Sequence, residues 1–259
     1  MADIAAMAAR LDDAAREARA IPQITGEDST LSLADAYAIQ GAAIDRRLAR
    51  GERLVGVKMG FTSEAKMAQM GLKDQIWGRL TSDMVVTNGA AIERARFIHP
   101  RVEPEVAVRL NAPLTGAVTR EEALAAVDAV AAALEVIDSR YENFRFALGD
   151  VVADNASSSA FVVGPWMPAG TDISDVAMEM RVDDAPAETG TSAAILGDPI
   201  RSLVAAARLA GSAGLVLEPG WIVMLGGATA AAAIGSARAV SLDAAHLGRV
   251  GFTIEGGGA

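Results

Sequence analysis

The chain has 259 residues, no cysteine and two histidines, and its 33 Asp and Glu residues outnumber its 23 Lys and Arg residues, for a formal net charge of −10. Without cysteine the chain has no disulfide framework, thiolate nucleophile, thiolate-bound zinc or iron–sulfur cluster. A histidine-rich metal site is also excluded. Carboxylates are abundant, which favours chemistry that uses an oxygen-liganded metal, a lysine or no side-chain base.

Composition and charge also bound the class of protein. Hydrophobic residues make up 51% of the chain, so it can bury a large core and is expected to form one or two globular domains. The net negative charge argues against nucleic acid and anionic membranes as partners. The N-terminus lacks the apolar run of a signal peptide, and the longest apolar segment, 221–235, is too short to span a bilayer. We therefore expect a cytoplasmic protein.

Two helices are predicted at the start of the chain. Residues 1–20 are rich in alanine with scattered charges, which is typical of a helix. Ser32, with Asp35 three positions later, matches an N-terminal capping box for a second helix. Apolar residues recur at roughly helical spacing until Gly51, where this helix is predicted to end.

Predicted β-structure follows these helices. Residues 53–59 form a predicted strand, and Ser63 is predicted to begin a short helix that ends at Gly71. Between residues 83 and 110 the pattern is one of short β segments, interrupted by Asn88-Gly89, which is a strong hairpin signal.

The second half of the chain mixes helices and strands. Thr119 and Glu122 match a capping box for an alanine-rich helix predicted to reach about Ala132, and Asp198-Pro199 matches the start of another helix. Further strands are predicted at 134–137, 221–225, 237–242 and 250–254. The order of elements predicts an α+β fold without regular βαβ alternation.

A strand with two glutamates is the first candidate for chemistry. Residues 101–110 alternate with period two, which places Glu103 and Glu105 on one face and valines on the other. Pro104 predicts an edge strand or a bulged one. The pattern alone fits either a half-buried strand with a solvated acidic face or a pair of metal ligands.

A third carboxylate, Glu135, lies in an otherwise apolar run. An ionised carboxylate there is costly unless it is paired or bound to a metal. One interpretation is a salt bridge to Arg140 or another cation. The other is convergence with Glu103 and Glu105 on an oxygen site for Mg²⁺ or Mn²⁺, which the spacing alone does not establish.

Lys58 is the second candidate group, because it lies between Val57 and Met59 in a short strand bounded by glycines. It is interpreted either as a partly buried lysine with a lowered pKa for acid/base work, or as a cation that holds an anionic substrate. The alternative is an ordinary exposed lysine. The polar cluster 153–159 and the segment 226–229 each fit a turn or a source of hydrogen-bond donors.

Five segments, in chain order, resemble the hydratase/decarboxylase branch of the fumarylacetoacetate hydrolase superfamily. They are GVKMGFTS (56–63), HPRVEPEVAV (99–108), LEVIDSRYENFRF (134–146), VVADNASSS (151–159) and LGGATAAAAI (225–234). The resemblance implies an α+β fold with N-terminal helices followed by a mixed β-roll or β-sandwich core of the fumarylacetoacetate hydrolase C-terminal type. The resemblance also divides the chain into a helical N-terminal region, 1–75, and a catalytic core, 76–259, on which that region packs.

The same resemblance implies a set of site residues. Glu103, Glu105 and Glu135 would hold Mg²⁺ or Mn²⁺, while Lys58 and Asn155 would face the substrate as catalytic residues. Expected substrate contacts are Ser157, Ser158 and Thr229 at the carboxylates. From their position in the sequence alone, Met70 and Leu72 are expected to line the pocket near the distal carboxylate.

The implied activity is metal-dependent decarboxylation of 2-oxohex-3-enedioate to 2-hydroxypenta-2,4-dienoate and CO₂ in catechol meta-cleavage. The alternatives are hydration of 2-oxopent-4-enoate by the sister enzyme of the branch, and a non-catalytic partner subunit. An acylpyruvate hydrolase is disfavoured because no histidine–glutamate pair on a helix is found to activate water. The resemblance further implies that the chain forms a homo-oligomer and that it associates with the pathway hydratase.

Overall fold

A computed structural model describes residues 3–63, 67–68 and 74–256 of the chain. The helices in this part are Ile4–Arg16 (α1), Ile24–Glu27 (α2), Leu33–Ala49 (α3), Arg120–Ala125 (α4), Leu148–Ala153 (α5) and Pro199–Ser212 (α6). The first seven strands are Leu54–Gly60 (β1), Ile76–Thr81 (β2), Val85–Val86 (β3), Ala91–Glu93 (β4), Arg101–Leu110 (β5), Val127–Ile137 (β6) and Ser158–Val163 (β7). The remaining strands are Met167–Pro168 (β8), Ala177–Val182 (β9), Ala185–Thr191 (β10), Ile222–Gly227 (β11), Ala232–Ala233 (β12), Ala239–Ala244 (β13) and Gly248–Glu255 (β14).

The two predicted N-terminal helices are present as α1 and α3. Asp3 caps α1 by accepting a hydrogen bond from the Ala6 N–H, and the predicted capping box of Ser32 and Asp35 begins α3. The two helices pack against each other through buried apolar residues of one cluster. Asp12 of α1 joins the two helices. Its carboxylate accepts hydrogen bonds from Arg46 of α3 and from Arg50, the residue that follows α3.

Two sheets form the core of the described residues. Nine of the described strands make a large mixed sheet with the order β2-β1-β11-β5-β6-β7-β3, in which β12 also pairs with β5 and β8 with β6. Five described strands make the small sheet, in the order β10-β9-β13-β14-β4. One apolar cluster contains the valine face of β5 together with Val240, Leu242 and Phe252 of the small sheet. The predicted α+β fold, with N-terminal helices followed by a mixed β-roll or β-sandwich core, is confirmed.

The predicted hairpin at Asn88-Gly89 is wrong. These residues do form a turn, with the Ala90 N–H donating to the Thr87 carbonyl. However, β3 pairs with β7 of the large sheet, whereas β4 pairs with β14 of the small sheet. The turn therefore carries the chain from one sheet to the other, and Asn88 anchors it by accepting a hydrogen bond from the Gly251 N–H.

The alanine-rich helix predicted from Thr119 to about Ala132 is too long. The capping box is present, but α4 ends at Ala125 and β6 begins at Val127. The strand pairs with β5 on one side and with β7 and β8 on the other. Alanine favours helix locally, but hydrogen bonding and burial in the middle of a sheet outweigh that preference.

Pro104 lies in an interior strand, so the predicted edge position is wrong. Strand β5 is paired with both β6 and β11, and the irregularity lies in β11, between Met224 and Gly227. The Pro104 carbonyl accepts a hydrogen bond from the Ala228 N–H, beyond the end of β11. Because the N–H and C=O groups of a strand residue point to the same neighbour, the N–H that proline lacks would face this interrupted part of the ladder.

The division into regions 1–75 and 76–259 stays a prediction. Strand β1, which falls in the first region, pairs with β2 and β11 in the large sheet. Of the short helix predicted at 63–71, residues 64–66 and 69–71 lie outside the described residues. Within the described part of the chain, no helix is both long and apolar enough to cross a membrane.

Candidate active site and metal centre

Three glutamate side chains converge on one face of the large sheet. Glu103 and Glu135 are direct partners across the antiparallel β5–β6 ladder, and Glu105 follows two positions along the same face of β5. One carboxylate oxygen from each of the three lies within 4.8 Å of the others. Glu105 and Glu135 are fully buried, and Glu103 is half-buried. The three glutamates therefore converge in the structure, which their spacing in the sequence did not establish.

The donor set fits a hard divalent cation. Glu105 accepts a hydrogen bond from the Gly226 N–H at 2.8 Å through Oε2, while its buried Oε1 has no hydrogen-bond partner in the described part of the chain. Burial, and then the charge of Glu135, raises the pKa of Glu105 well above its usual range. Clustered carboxylate oxygens with an unused lone pair suit Mg²⁺ or Mn²⁺, which bind oxygen ligands.

Lys58 extends from the neighbouring part of the sheet into the same cluster. Its Nζ lies 2.7 Å from Glu135 Oε2 and donates a hydrogen bond to the Ala156 carbonyl at 3.2 Å. Burial acts to lower the pKa of Lys58, but the charges of Glu135, Glu105 and Glu103 outweigh it and leave this pKa raised. The predicted lowering of its pKa is wrong, and the interpretation as a buried cation fits.

Glu135 therefore pairs with Lys58 and not with Arg140. Arg140 is itself buried and forms an ion pair with Asp154, whose backbone carbonyl it also binds at 2.6 Å. It further donates a hydrogen bond to Ser159 Oγ at 2.6 Å. Burial raises the pKa of Asp154 to about 6, although the charge of Arg140 acts in the opposite direction. Arg140 thus binds residues on both sides of the turn Asn155–Ser157, which contacts Lys58.

That turn, Asn155–Ser157, has an unusual backbone. Asn155, Ala156 and Ser157 have φ angles of 52°, 51° and 58°, in the left-handed region that costs non-glycine residues about 1–2 kcal/mol each. Both polar atoms of the Asn155 side chain bind the backbone of Arg79: Oδ1 accepts from its N–H at 2.7 Å, and Nδ2 donates to its carbonyl at 2.8 Å. The substrate-facing role of Asn155 stays a prediction.

The residues predicted to contact the substrate have different hydrogen-bond partners in the structure. Ser158 donates a hydrogen bond to Glu135 Oε1 at 2.8 Å, so it orients a proposed metal ligand. The hydroxyl of Ser157 is buried and has no hydrogen-bond partner among the residues described. Thr229 donates to the Ala230 carbonyl at 2.9 Å. Met70 and Leu72 lie outside the described residues.

Residues 54–255 match the family model for the fumarylacetoacetate (FAA) hydrolase C-terminal region. The chain belongs to the fumarylacetoacetate hydrolase family. One relative, a 4-oxalocrotonate decarboxylase of a Pseudomonas species, is 54% identical over 253 residues, which is 98% of each chain. Another, 2-keto-4-pentenoate hydratase 1 of Dechloromonas aromatica, is 35% identical over 248 residues, 95% of this chain and 94% of its own length.

A solved structure of the same family is similar over nearly the whole chain. It is the 4-oxalocrotonate decarboxylase from Pseudomonas putida G7, complexed with magnesium and adipate. The two chains are 36% identical and match with a TM-score of 0.93, and the match covers 97% of each.

Two glycines shape the site of this fumarylacetoacetate hydrolase family member. A Cβ atom on Gly227 would lie 2.6 Å from Glu103 Oε2, and one on Gly226 would lie 2.3 Å from Thr62 Oγ1. Gly226 also has a φ of 111°, which favours glycine. The first two residues of the segment 226–229, which fitted either an anion nest or a bend, are thus the irregular end of β11, next to the carboxylates of Glu105 and Glu103. The sequence analysis did not single out Thr62, for which the only signal was its place in the segment 56–63 that contains Lys58.

Both histidines have contacts that fit structural roles. The His99 ring packs at a tilt against Phe144 with 5.1 Å between centroids, and its backbone N–H donates to Asp138. His246 Nε2 lies 2.7 Å from the Asp172 carbonyl oxygen, on the surface. Among the described residues, the ionisable groups that converge at the site are three glutamates and Lys58, in line with the composition.

Proposed function

We propose that this protein is a metal-dependent decarboxylase that converts 2-oxohex-3-enedioate (4-oxalocrotonate) to 2-hydroxypenta-2,4-dienoate and CO₂, in catechol meta-cleavage. The observation that carries the proposal is the buried cluster of Glu103, Glu105 and Glu135 with the Lys58 ammonium beside it. The similarity to a 4-oxalocrotonate decarboxylase over 98% of the chain supports the same reaction. Adipate, the ligand of the Pseudomonas putida structure, is a six-carbon dicarboxylate like the proposed substrate.

The glutamates are the proposed metal ligands. Glu103, Glu105 and Glu135 would hold Mg²⁺ or Mn²⁺, which supplies a Lewis acid for the C1 carboxylate and C2 ketone oxygens of the substrate. Ser158 would keep the Glu135 carboxylate oriented through its hydrogen bond to Oε1, and the Gly226 N–H would do the same for Glu105.

The proposed reaction needs no strong base. The C5–C6 bond breaks, CO₂ leaves, and the electron pair moves through C5, C4 and C3 to the C2 oxygen, which then takes one proton to give the dienol. Because the pKa of Lys58 is raised, its Nζ carries a proton at neutral pH. In this position it would stabilise the developing negative oxygen and donate that proton.

The remaining predicted contacts belong to the same proposal. Ser157, with its buried hydroxyl, and Thr229 would bind substrate carboxylates, and Asn155 would act together with Lys58. Met70 and Leu72 would line the pocket at the distal carboxylate. A cytoplasmic homo-oligomer, associated with the pathway hydratase, is the assembly we propose, because the dienol product ketonises readily and benefits from direct transfer.

The test is an assay of the purified protein with Mg²⁺ and 2-oxohex-3-enedioate, in which CO₂ and the dienol are measured together. We expect equal amounts of the two, and a loss of turnover in Glu135→Gln. Glu255→Gln, a substitution at an exposed glutamate of β14, is the matched control and should leave turnover unchanged. Consumption of the five-carbon dienol without CO₂ release would favour the sister hydratase. Binding to the hydratase without any turnover would favour a non-catalytic subunit.

A further inference from the structure

The position of the Lys58 ammonium depends on the Asn155–Ser157 turn. Two contacts fix its Nζ atom: Glu135 Oε2 at 2.7 Å and the Ala156 carbonyl at 3.2 Å. Glu135 is also a proposed metal ligand, so the carbonyl is the contact that does not depend on the metal. The Ala156 carbonyl points at Lys58 only while the turn keeps its left-handed backbone.

The surroundings must hold this backbone in place, since residues with side chains rarely occupy it. Asn155, Ala156 and Ser157 are consecutive in the left-handed region, and none is glycine. Such conformations persist where neighbouring groups fix them, and they cluster at functional sites. The turn begins one residue after α5 ends and leads directly into β7, so helix and strand fix its two ends.

The Asn155 side chain is the link between the turn and β2. Its amide binds both the N–H and the carbonyl of Arg79, at 2.7 and 2.8 Å, in the manner of a neighbouring strand. Close approach is possible because residue 78 is glycine: a Cβ there would lie 2.6 Å from the Asn155 carbonyl oxygen. The pair of bonds uses one donor and one acceptor of the amide and leaves its other donor for a further partner.

A buried glutamine of α3 braces the same strand. Gln40 Nε2 donates to the carbonyls of Trp77 and Val152 at 3.1 and 2.9 Å, and Gln40 Oε1 accepts from Arg79 at 2.6 Å. The Arg79 guanidinium also lies over the Trp77 ring, 4.6 Å from its centroid. Gln40 therefore ties β2, which binds Asn155, to α5, which leads into the turn.

We propose that Asn155 is a positioning residue: through the Ala156 carbonyl it holds the Lys58 ammonium in place, and Gln40 braces the strand that anchors it. The kinetic part of this proposal rests on the proposed decarboxylation. The structural part concerns only Arg79, the turn and Lys58, and can be tested without any substrate. Through Gln40, helix α3 thereby helps to position Lys58 without contacting the substrate.

The test uses Asn155→Gly, because glycine permits the left-handed backbone but removes both bonds to Arg79. We expect kcat to fall about 10- to 100-fold, the loss expected when a catalytic group is displaced by about 1 Å. The KM and the affinity for Mg²⁺ should stay within about twofold of wild type, because the proposal places neither the substrate nor the metal on Asn155. Asn143→Gly is the matched control, since Asn143 is exposed and also has a positive φ of 57°.

Two further variants keep the test decisive if Asn155→Gly folds poorly. Asn155→Asp retains an acceptor for the Arg79 N–H and should recover part of the kcat. Gln40→Glu retains an acceptor for the Arg79 side chain but loses both donated bonds, and it should lower kcat with little effect on KM. A rise in KM with an unchanged kcat for Asn155→Gly would instead make Asn155 a substrate contact and overturn the proposal.

Two substrate-free measurements separate this proposal from the proposed function. The chain has three lysines, so ¹⁵N-labelled lysine gives few side-chain signals, and the Lys58 signal should move in Asn155→Gly but not in Asn143→Gly. Amide hydrogen exchange at Arg79 should become faster in the same variant. An unmoved Lys58 signal despite faster exchange would overturn the positioning role. Lack of decarboxylation by the wild-type protein would overturn the proposed function and leave these two results interpretable.

Discussion

Glu103 and Glu135 are paired directly opposite each other across the β5–β6 ladder. Like charges in such a pair destabilise a sheet, and Glu105 adds a third carboxylate to the same face. Lys58 supplies one positive charge to this cluster, so negative charge remains in excess. The sheet is therefore built with an electrostatic cost that a bound divalent cation would offset, which couples metal binding to stability.

This coupling predicts opposite effects of Glu105→Gln with and without metal. In EDTA the variant should be more stable than wild type by about 1–3 kcal/mol, because it removes a carboxyl group whose ionised form is destabilised by burial and by Glu135, and whose Oε1 has no hydrogen-bond partner among the described residues. With Mg²⁺ at about 1,000 times Kd the order should reverse, since only the wild type gains the free energy of binding, about 4.1 kcal/mol. Urea unfolding in the two buffers measures both differences.

The control for this prediction is Glu255→Gln, at an exposed position of β14. It should follow the wild type within about 0.5 kcal/mol in both buffers, as surface substitutions usually do. If Glu105→Gln were less stable than wild type in EDTA, the carboxylate would have a stabilising partner, and the electrostatic argument for the metal would fail.

Lys58→Met should separate catalysis from metal binding. It removes the proposed proton donor, so kcat/KM should fall by about 10²- to 10⁴-fold. It also removes a positive charge 2.7 Å from Glu135, so the affinity for Mg²⁺ should be unchanged or higher. Steady-state kinetics and isothermal titration calorimetry give the two quantities. Loss of Mg²⁺ binding in this variant would show that Lys58 acts chiefly by keeping the glutamates in place.

The local part of the site could be predicted from the sequence. Period-two alternation places Glu103 and Glu105 on one face of β5, and an apolar context marks Glu135 as needing a partner. That the third glutamate joins the first two depends on the register of β5 with β6, which is a non-local property. Resemblance to a family, and not spacing, supplied this step.

The remaining errors arose where tertiary contacts outweigh local signals. The residues that follow Ala125 favour helix by composition but form β6, and Asn88-Gly89 turns between two sheets instead of within one. For Lys58, burial alone predicts a lowered pKa, whereas the three glutamates brought to it by the fold raise it. A correct prediction in each case required knowledge of which segment, distant in the sequence, packs against the residue in question.

Gly227→Ala should impair the metal centre more than the fold. The added Cβ would lie 2.6 Å from Glu103 Oε2, so the carboxylate must move away from its position beside Glu105 and Glu135. We expect the affinity for Mg²⁺ to fall at least about tenfold, which is about 1.4 kcal/mol, and the free energy of unfolding without metal to change by less than that, because the nearest atom that must shift is the end of a flexible side chain. Gly170→Ala, where a Cβ meets nothing within 4 Å, is the matched control. Equal Mg²⁺ affinity in both variants would contradict the assigned role of Glu103.

Asp12 should make the docking of α1 on α3 sensitive to acid. Its carboxylate is buried and accepts hydrogen bonds from Arg46 and Arg50, with Arg47 at 3.6 Å. Burial alone would raise the pKa of Asp12, but the bonds from Arg50 and Arg46 and the charges of Arg50 and Arg47 outweigh it, and this pKa is lowered from its usual 3.8. A group with a lowered pKa stabilises the fold above its unfolded pKa, and this stabilisation is lost as the pH falls through the folded value.

Asp12→Asn should therefore cost stability at neutral pH and progressively less in acid. At pH 7 we expect a loss of about 2–3 kcal/mol, less than for a fully buried pair, because the Arg46 and Arg50 side chains are 41% and 39% exposed. The difference between variant and wild type should be constant above about pH 5 and shrink below about pH 4, in urea unfolding at a series of pH values. Asp175→Asn, an exposed control, should differ little from wild type throughout. A difference that grew on acidification would mean that Asp12 is held protonated in the folded state, and the ion pair would not be what joins the two helices.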